Sequence, residues 1–519
     1  MVRRILVLMA VFLIGAVSGG WGAPPDVVTV VVREAGADPA AQAAACKEAV
    51  RRALVEAGVD RQIRAATRNG RFPKRYLLKI AHNNGAGVDG FRVAGNGEMP
   101  GYLWAVTKSL LDFFADALRE PLTPEDRRLV QQGEIMTRRL HGIAPAAGPV
   151  DGGSAPPRRV IGLKLTGSTV KLILSLLARL TRTPSWNVVG YPAVSNPLVV
   201  AAWAELVREW GGEPWVGDLS GIESPDTLDN MRASGILAAA LRSGARLWVF
   251  DRGLVAETVP GGPAGQNGPF LADVDGERLD AFETVTSPVL ADYPGQEILL
   301  PRALVRGFFA GVFCEAHPKA HVLSTVSSAV KNLVGLMGMG SRRAMHNMQA
   351  KSSPWGVVGT HDRSSHRKIA QTAYAVERLL GREIVGYLGD SFASITAIGP
   401  DTGPHTVFPA GDRTVTFARD LFRQETATLA VSSVAARHVA AHGSRYPRLQ
   451  FNRFFRGGNP RADDIYAEFC RLALAADPRR SRFTWRLCGV PERSALLTDL
   501  RTLLDGPLSD LPIDLQPTP

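Results

Sequence analysis

Cysteine is scarce in this chain. Four occur among 519 residues, Cys46, Cys314, Cys470 and Cys488, and none forms a C-x-x-C pair. That spacing excludes a sequence-local iron–sulfur module or a zinc ribbon. Cys470 and Cys488 could close a disulfide loop in an oxidising compartment, the alternative being two buried free thiols. Long apolar runs are scarce too: beyond the N-terminus, none is long enough for a membrane span. No internal repeat is visible. A nucleotide fingerprint is also missing. Gly335-x-x-Gly338-x-Gly340, followed by Arg342-Arg343, comes after a helical pattern rather than a strand, so it reads as a lid or helix end.

Positive charge is in excess, with a formal net charge of +11. A basic balance can signal nucleic acid, but the N-terminus points to export. Arg3 and Arg4 precede an apolar run, Ile5–Val17, and Ser18-Gly19-Gly20 supplies small residues for cleavage. This is a secretory signal pattern over residues 1–20. It implies a periplasmic or secreted protein without a nucleic-acid partner; the alternative is an uncleaved N-terminal anchor. Anionic envelope surfaces, or small carboxylate and phosphate ligands, suit the remaining charge.

Apolar content of 45% and charged content of 21% are ordinary for a globular protein. Val27–Val32 is β-branched and predicts a strand. Asp38-Pro39 supplies an N-cap and an N1 proline for a helix over Ala40–Ala57, closed by Gly58. Residues 24–140 thus open with a strand and helix and continue as a less regular insertion, in which Tyr102–Leu118 has amphipathic spacing. The Pro-, Gly- and Ala-rich stretch within 141–158 is a linker or exposed loop. A main domain over 160–442 alternates strands with helices. Strands are expected at Val160–Leu165, Glu213–Val216, Arg246–Phe250, Gly311–Cys314, Ile384–Leu388 and Val415–Ala418. Helices are expected at Val170–Leu180, Leu198–Trp210, Ser324–Leu336 and Gln424–Ala441. This alternation predicts an α/β fold, a mostly parallel sheet flanked by helices, with a C-terminal helical extension over 443–519.

Polar residues concentrate where these strands end. Cys314–Gly335 reads CEAHPKAHVLSTVSSAVKNLVG, with His317, Lys319 and His321 directly after an apolar strand and Lys331-Asn332 beyond a hydroxyl-rich stretch. Buried polar groups must be hydrogen-bonded or ligated, so this segment marks a candidate site. Asp218 and Asp390 each follow a strand, where ligands of open α/β sheets bind. His317 and His321 have metal-ligand spacing, but Pro318 and the preceding strand place them in a loop, where that spacing carries little. Gly389-Asp390-Ser391 is similar to the nucleophile block of one esterase family. That block opens its chain's first strand and is completed by a late D-x-x-H, and none follows here.

The order of segments resembles domain of unknown function family 362. Lys319-Ala320-His321, Ser324-Thr325, Lys331-Asn332 and Gly335 resemble its central P-K-x-K-T-H, hydroxyl-rich and K-N-x-x-G segments. His346 and His366 are similar to its following histidine pair. Asp390 with Gly399-Pro400, Asp420 with Glu425, and Ser195–Val199 with Gly217-Asp218 match further segments. The resemblance spans roughly 160–440. It departs at Lys164-Leu165-Thr166, at Thr396, at Leu421 in place of a proline, and in lacking the ferredoxin segment of many relatives.

The resemblance implies an α/β fold with a site. Its expected catalytic groups are His321, Lys331 and Asp390; Lys319, Asn332 and Asp218 would bind substrate. His321, His346 and His366 would be ligands of a divalent metal or acid–base groups. The expected partner is a small anionic molecule, with envelope association as a second expectation. A non-catalytic periplasmic binding or assembly protein is the alternative.

Overall fold

The computed structural model describes residues 24–33, 38–68, 73–80, 195–219, 227–228, 231, 235–259, 271–272, 276–321, 325–345, 363–381, 383–397, 405–441, 460 and 464–519. The chain begins with β1 (Val27–Val31), α1 (Pro39–Glu56), α2 (Val59–Arg68) and β2 (Arg75–Lys79). Then come α3 (Pro197–Glu209), β3 (Glu213–Asp218), α4 (Ile236–Ser243), β4 (Arg246–Val249) and β5 (Gly253–Leu254). A small hairpin, β6 (Phe282–Thr286) and β7 (Glu297–Pro301), leads through α5 (Arg302–Val305) into β8 (Gly311–Ala316). The hairpin β9 (Lys319–His321)–β10 (Thr325–Ser327) precedes α6 (Ala329–Asn332), α7 (Met339–Met345) and α8 (Arg363–Leu379). The chain closes with β11 (Ile384–Ala397), β12 (His405–Ala418), α9 (Leu421–Ala441), α10 (Asp464–Ala476), β13 (Phe483–Cys488), α11 (Ala495–Leu504) and β14 (Ile513–Thr518).

Local chemistry starts these helices as the sequence predicts. The Asp38 carboxylate accepts from the Ala40 and Ala41 amides at 3.2 and 3.1 Å, with Pro39 occupying the position whose N–H is not needed. Asn196 does the same for α3, its side chain accepting from the Leu198 amide at 2.9 Å. Gly58 takes φ +73°, a left-handed conformation suited to the end of α1.

Ten strands form one sheet in the order β14-β13-β1-β12-β11-β8-β2-β3-β4-β5. Its centre, β11-β8-β2-β3-β4, is parallel throughout. β12 runs antiparallel to both β11 and β1. Strands buried on both faces lose apolar/polar alternation, and every residue of β8 is buried. One face is covered by α1, α3 and α4 and contains Phe313, packed edge-on to Trp203 at 5.4 Å. The other is covered by α6, α8, α9, α10 and α11 and contains Val312 and Cys314. This is the expected α/β architecture.

The parallel block is doubly wound. From β2 the described chain moves outward to β3 and β4, then returns to the opposite side of β2 as β8 and continues outward to β11. The direction reverses between β2 and β8. A crevice outside the carboxyl ends of the strands forms at such a reversal.

Several elements differ from the sequence reading. Lys319–His321 is a strand, paired antiparallel with β10 through His321↔Thr325, Ala320↔Val326 and Lys319↔Ser327. The helix expected over Ser324–Leu336 is therefore split: Ser328 is extended at φ −140°, ψ −154°, and only Ala329–Asn332 is α-helical before a 3₁₀ turn over Leu333–Leu336. β11 runs past Leu388 to Ala397 because β12 continues to pair with it after β8 ends. The C-terminal region supplies helices α10 and α11, but also strands β13 and β14 of the main sheet. Cys46, Cys314, Cys470 and Cys488 are buried free thiols. The strand and helix expected at Val160–Leu165 and Val170–Leu180, the amphipathic Tyr102–Leu118 and the 141–158 linker lie outside the described residues.

Candidate functional site at the sheet edge

Four adjacent strands end in buried polar residues. β2 ends at Lys79, β3 at Asp218, β8 leads through Glu315 to His317, and β11 carries Asp390. Each of these side chains is at most 3% exposed. Burying so many polar groups is costly unless they meet one another, and they do so in two groups on either side of the β2/β8 reversal.

The first group centres on Lys79. Its ammonium forms an ion pair with Asp218 Oδ1 at 2.7 Å and donates to Asn332 Oδ1 at 2.7 Å and the Ile80 carbonyl at 2.5 Å. Three oxygens thus surround the ammonium. Burial lowers the Lys79 pKa, and the charge and hydrogen bond of Asp218 oppose that shift. Asn332 Nδ2 in turn donates to the Glu315 carbonyl, so one amide joins the ion pair to the end of β8. The backbone comes unusually close here: a Cβ on Gly335 would lie 2.4 Å from Lys79 Nζ and 2.8 Å from Asp218 Oδ1. Arg342 ties the same turn down, donating to the carbonyls of Met337, Gly335 and Leu219 at 2.9, 2.7 and 2.5 Å. Burial pushes its guanidinium down to about 10, against the charges of Asp218 and Asp251.

The second group centres on Asp390. His317 Nδ1 lies 2.6 Å from Asp390 Oδ1, and the Asn196 amide donates to Oδ2 at 3.2 Å. Burial would raise the Asp390 carboxyl. The charge and hydrogen bond of His317, with further bonds from Glu315 and the Asn196 amide, outweigh it and hold the group below the ordinary carboxylate range. The other ring nitrogen, His317 Nε2, is buried and has no hydrogen-bond partner among the described residues. A carboxylate on Nδ1 fixes the imidazole orientation and favours a proton on that nitrogen, leaving Nε2 as a lone-pair acceptor. Such a nitrogen can take a proton or ligate a metal.

Behind both groups stands Glu425 of α9. It is buried, accepts from the Val330 amide at 3.0 Å and so holds the start of α6. Burial pushes its carboxyl up to about 7, with the Val330 and Ala329 amides pulling the other way.

The residues singled out in the sequence are distributed unevenly. Asp218 and Asn332 meet around Lys79, and Asp390 meets His317. Lys331 lies beside Asn332 in α6, and Lys319 and His321 lie in β9; the side chains of these last two are outside the described residues, as is His346. His366, in α8, has Nδ1 3.8 Å from Asp464 Oδ2 of α10. Among the described residues, no group of three or more His, Cys, Asp or Glu side chains could hold a metal ion.

Lys79, Glu315 and Arg342 have no place among the residues expected from the sequence, and His317 lies in the expected segment without an assigned role. His317 follows an apolar strand directly, which is a usable signal. Lys79 follows Tyr76-Leu77-Leu78, too short an apolar run to announce a central strand.

No curated protein and no solved structure matches this chain. A family model, Domain of unknown function (DUF362), matches residues 185–274 and 311–423. Those stretches contain Asp218, Asn332, Glu315, His317 and Asp390. Over these stretches the chain is similar to the DUF362 family, and they carry most of the buried polar groups at its sheet edge.

Proposed function

We propose that this chain is an exported protein that binds a small anionic molecule and converts it by general acid–base chemistry, with His317 Nε2 moving the proton. The observation that carries this reading is the buried His317 ring, held at Nδ1 by Asp390 and without a partner at Nε2 among the described residues. An imidazole fixed by a carboxylate is a common general base near neutral pH. Its position favours the reading, since the β2/β8 reversal is where open α/β sheets take ligands.

Lys319 in β9 and Lys331 in α6 both follow His317 in the chain and supply positive charge for an anion. His321, His346 and His366 are further acid–base groups or ligands of a divalent metal that assists the reaction. Export rests on Arg3-Arg4, Ile5–Val17 and Ser18-Gly19-Gly20. Envelope association is consistent with the basic net charge. No helix among the described residues is long and apolar enough to cross a membrane.

A test is thermal denaturation of the purified protein with a panel of small carboxylates and phosphates, with metal analysis and turnover assays of each stabilising compound. At least one anion should raise the melting temperature and be consumed, and His317→Asn, which keeps a donor toward Asp390, should abolish consumption. An anion that stabilises without being consumed would make this a binding protein. No stabilising anion, or unchanged turnover in His317→Asn, would overturn the proposal.

A further inference from the structure

The edge of the sheet opposite the candidate site has a different character. β1 and the strands of the parallel block begin there. α1, α3 and α4 end there, because each runs back from the carboxyl edge. Hydrogen bonds join these ends in a row. Arg419, just after β12, donates to the Ala57 carbonyl at 3.0 Å and to Gln62 Oε1 at 2.8 Å, which fixes the junction of α1 and α2. Thr67 Oγ1 of α2 donates to the Trp210 carbonyl, just beyond α3, at 3.3 Å. Arg208 of α3 donates to the Ser243 carbonyl at the end of α4 at 2.7 Å.

This row is basic. Arg61, Arg64 and Arg68 lie on one face of α2, while Val59 and Ile63 are buried on the other. Lys74, Arg208 and Arg242 continue the row, and all six cations are exposed. None of the six makes an ion pair among the described residues. Nearby carboxylates are taken by other cations: Glu205 and Glu209 hold Lys47 at 2.6 and 2.7 Å, and Glu213 holds Arg246 at 2.6 Å. The C-terminus of a helix carries about half a negative charge. The ends of α1 to α4 therefore offset about two of the six positive charges and the half-buried Asp60 one more, which leaves about three. Apolar side chains flank the row. Val55, in the last turn of α1, is 42% exposed, and Leu241, in the last turn of α4, is 46% exposed. Val305 and Leu379, the other large apolar side chains exposed among the described residues, end α5 and α8 at the same edge.

We infer that this edge docks on a bilayer surface rich in anionic phospholipid headgroups. Guanidinium groups suit phosphates, which they bind through paired hydrogen bonds. Val55 and Leu241 enter the headgroup layer beside them, so that charge and apolar contact act together. A nucleic-acid duplex would meet the charge but leave these two side chains in water. α3 sets the orientation. The Asn196 amide at its start holds Asp390, and Arg208 lies in its last turn, about 20 Å away along the helix. The docked protein therefore turns its candidate site away from the lipid and toward soluble ligands. This inference rests on the export reading for the membrane that the protein meets, and not on the chemistry of His317.

The test is co-sedimentation of the mature chain, without residues 1–20, with vesicles of phosphatidylglycerol and phosphatidylcholine or of phosphatidylcholine alone. Wild type should bind the anionic vesicles at low salt, leave the neutral ones, and dissociate as salt rises. Each arginine near an anionic surface strengthens binding about fivefold. Arg61→Gln, Arg64→Gln and Arg68→Gln together should thus weaken binding about 100-fold at an unchanged melting temperature. A control that removes three exposed charges elsewhere, Arg482→Gln, Arg493→Gln and Arg501→Gln, should stay within about threefold of wild type. Equal weakening in the two triple variants would assign the binding to net charge and overturn the inference. So would a wild type that ignores anionic vesicles, whether or not it binds duplex DNA. The wild-type lipid comparison keeps the test decisive if the α2 variant does not fold. Vesicle binding in vitro needs neither export nor a small anion, so failure here is separable from failure of the proposed function.

Discussion

The two halves of the buried edge make a useful contrast. Around Lys79 an ion pair and two hydrogen bonds occupy the ammonium, and Arg342 is bonded to three carbonyls. Around Asp390 the carboxylate is equally well served, yet the histidine it holds keeps one nitrogen without a partner among the described residues. Both halves are buried and lie on neighbouring strands of one sheet. The first has spent its hydrogen-bonding capacity inside the protein, which suits a structural lock. The second retains an acceptor, which suits chemistry. Saturation, more than the kind of residue, separates them.

The largest effects should come from breaking the lock. Lys79→Ala or Asp218→Ala leaves a buried charge unpaired and should cost about 3–5 kcal/mol in denaturant unfolding. Replacing both together, as Lys79→Met with Asp218→Leu, should cost less than either single change. A double variant as damaged as the singles would mean that the pair does more than balance charge.

Gly335→Ala sharpens the same half. Its new Cβ would meet Lys79 Nζ at 2.4 Å. A lysine end can usually move aside, but this one is pinned by three acceptors, so a loss of about 1–3 kcal/mol is expected from thermal melts.

His317→Asn probes the other half. Because Nε2 makes no bond and Asn can still donate to Asp390, stability should change by only about 1 kcal/mol. Binding or turnover should be lost all the same. A large stability loss would move His317 into the structural half.

A pH-dependent effect concerns Glu425. Its folded pKa of about 7 lies above the ordinary 4.5. Its stabilising contribution is therefore fully present below pH 4.5 and lost as pH rises through about 7. Glu425→Gln should flatten the pH dependence of stability in that window. Asp390 has the opposite sign: its depressed pKa stabilises above its ordinary value and ceases to do so as pH falls through the folded one.

The elements themselves were largely legible. Asp38-Pro39 and Asn196-Pro197 cap helices where the residue types require it, and the apolar runs ending at Asp218 and Phe313-Cys314 are central strands. β9 was not legible, since Pro318 and the polar side chains around Lys319 look like loop until Thr325–Ser327 folds back beside them. Nor was β13, which gains its place by pairing with β1 more than 450 positions earlier, at Val27↔Trp485.

Residue type and local spacing by themselves determined the α/β class and the general position of the candidate site, because caps, β-branched runs and polar residues after strands act over a few neighbours. Asp218, Asn332 and Asp390 were found that way. Only the tertiary structure decided their partners. Lys79 meets Asn332 across 253 positions, and His317 meets Asp390 across 73. Hydrogen bonds depend on distances of about 3 Å that strand order sets, and strand order is a property of the packed sheet.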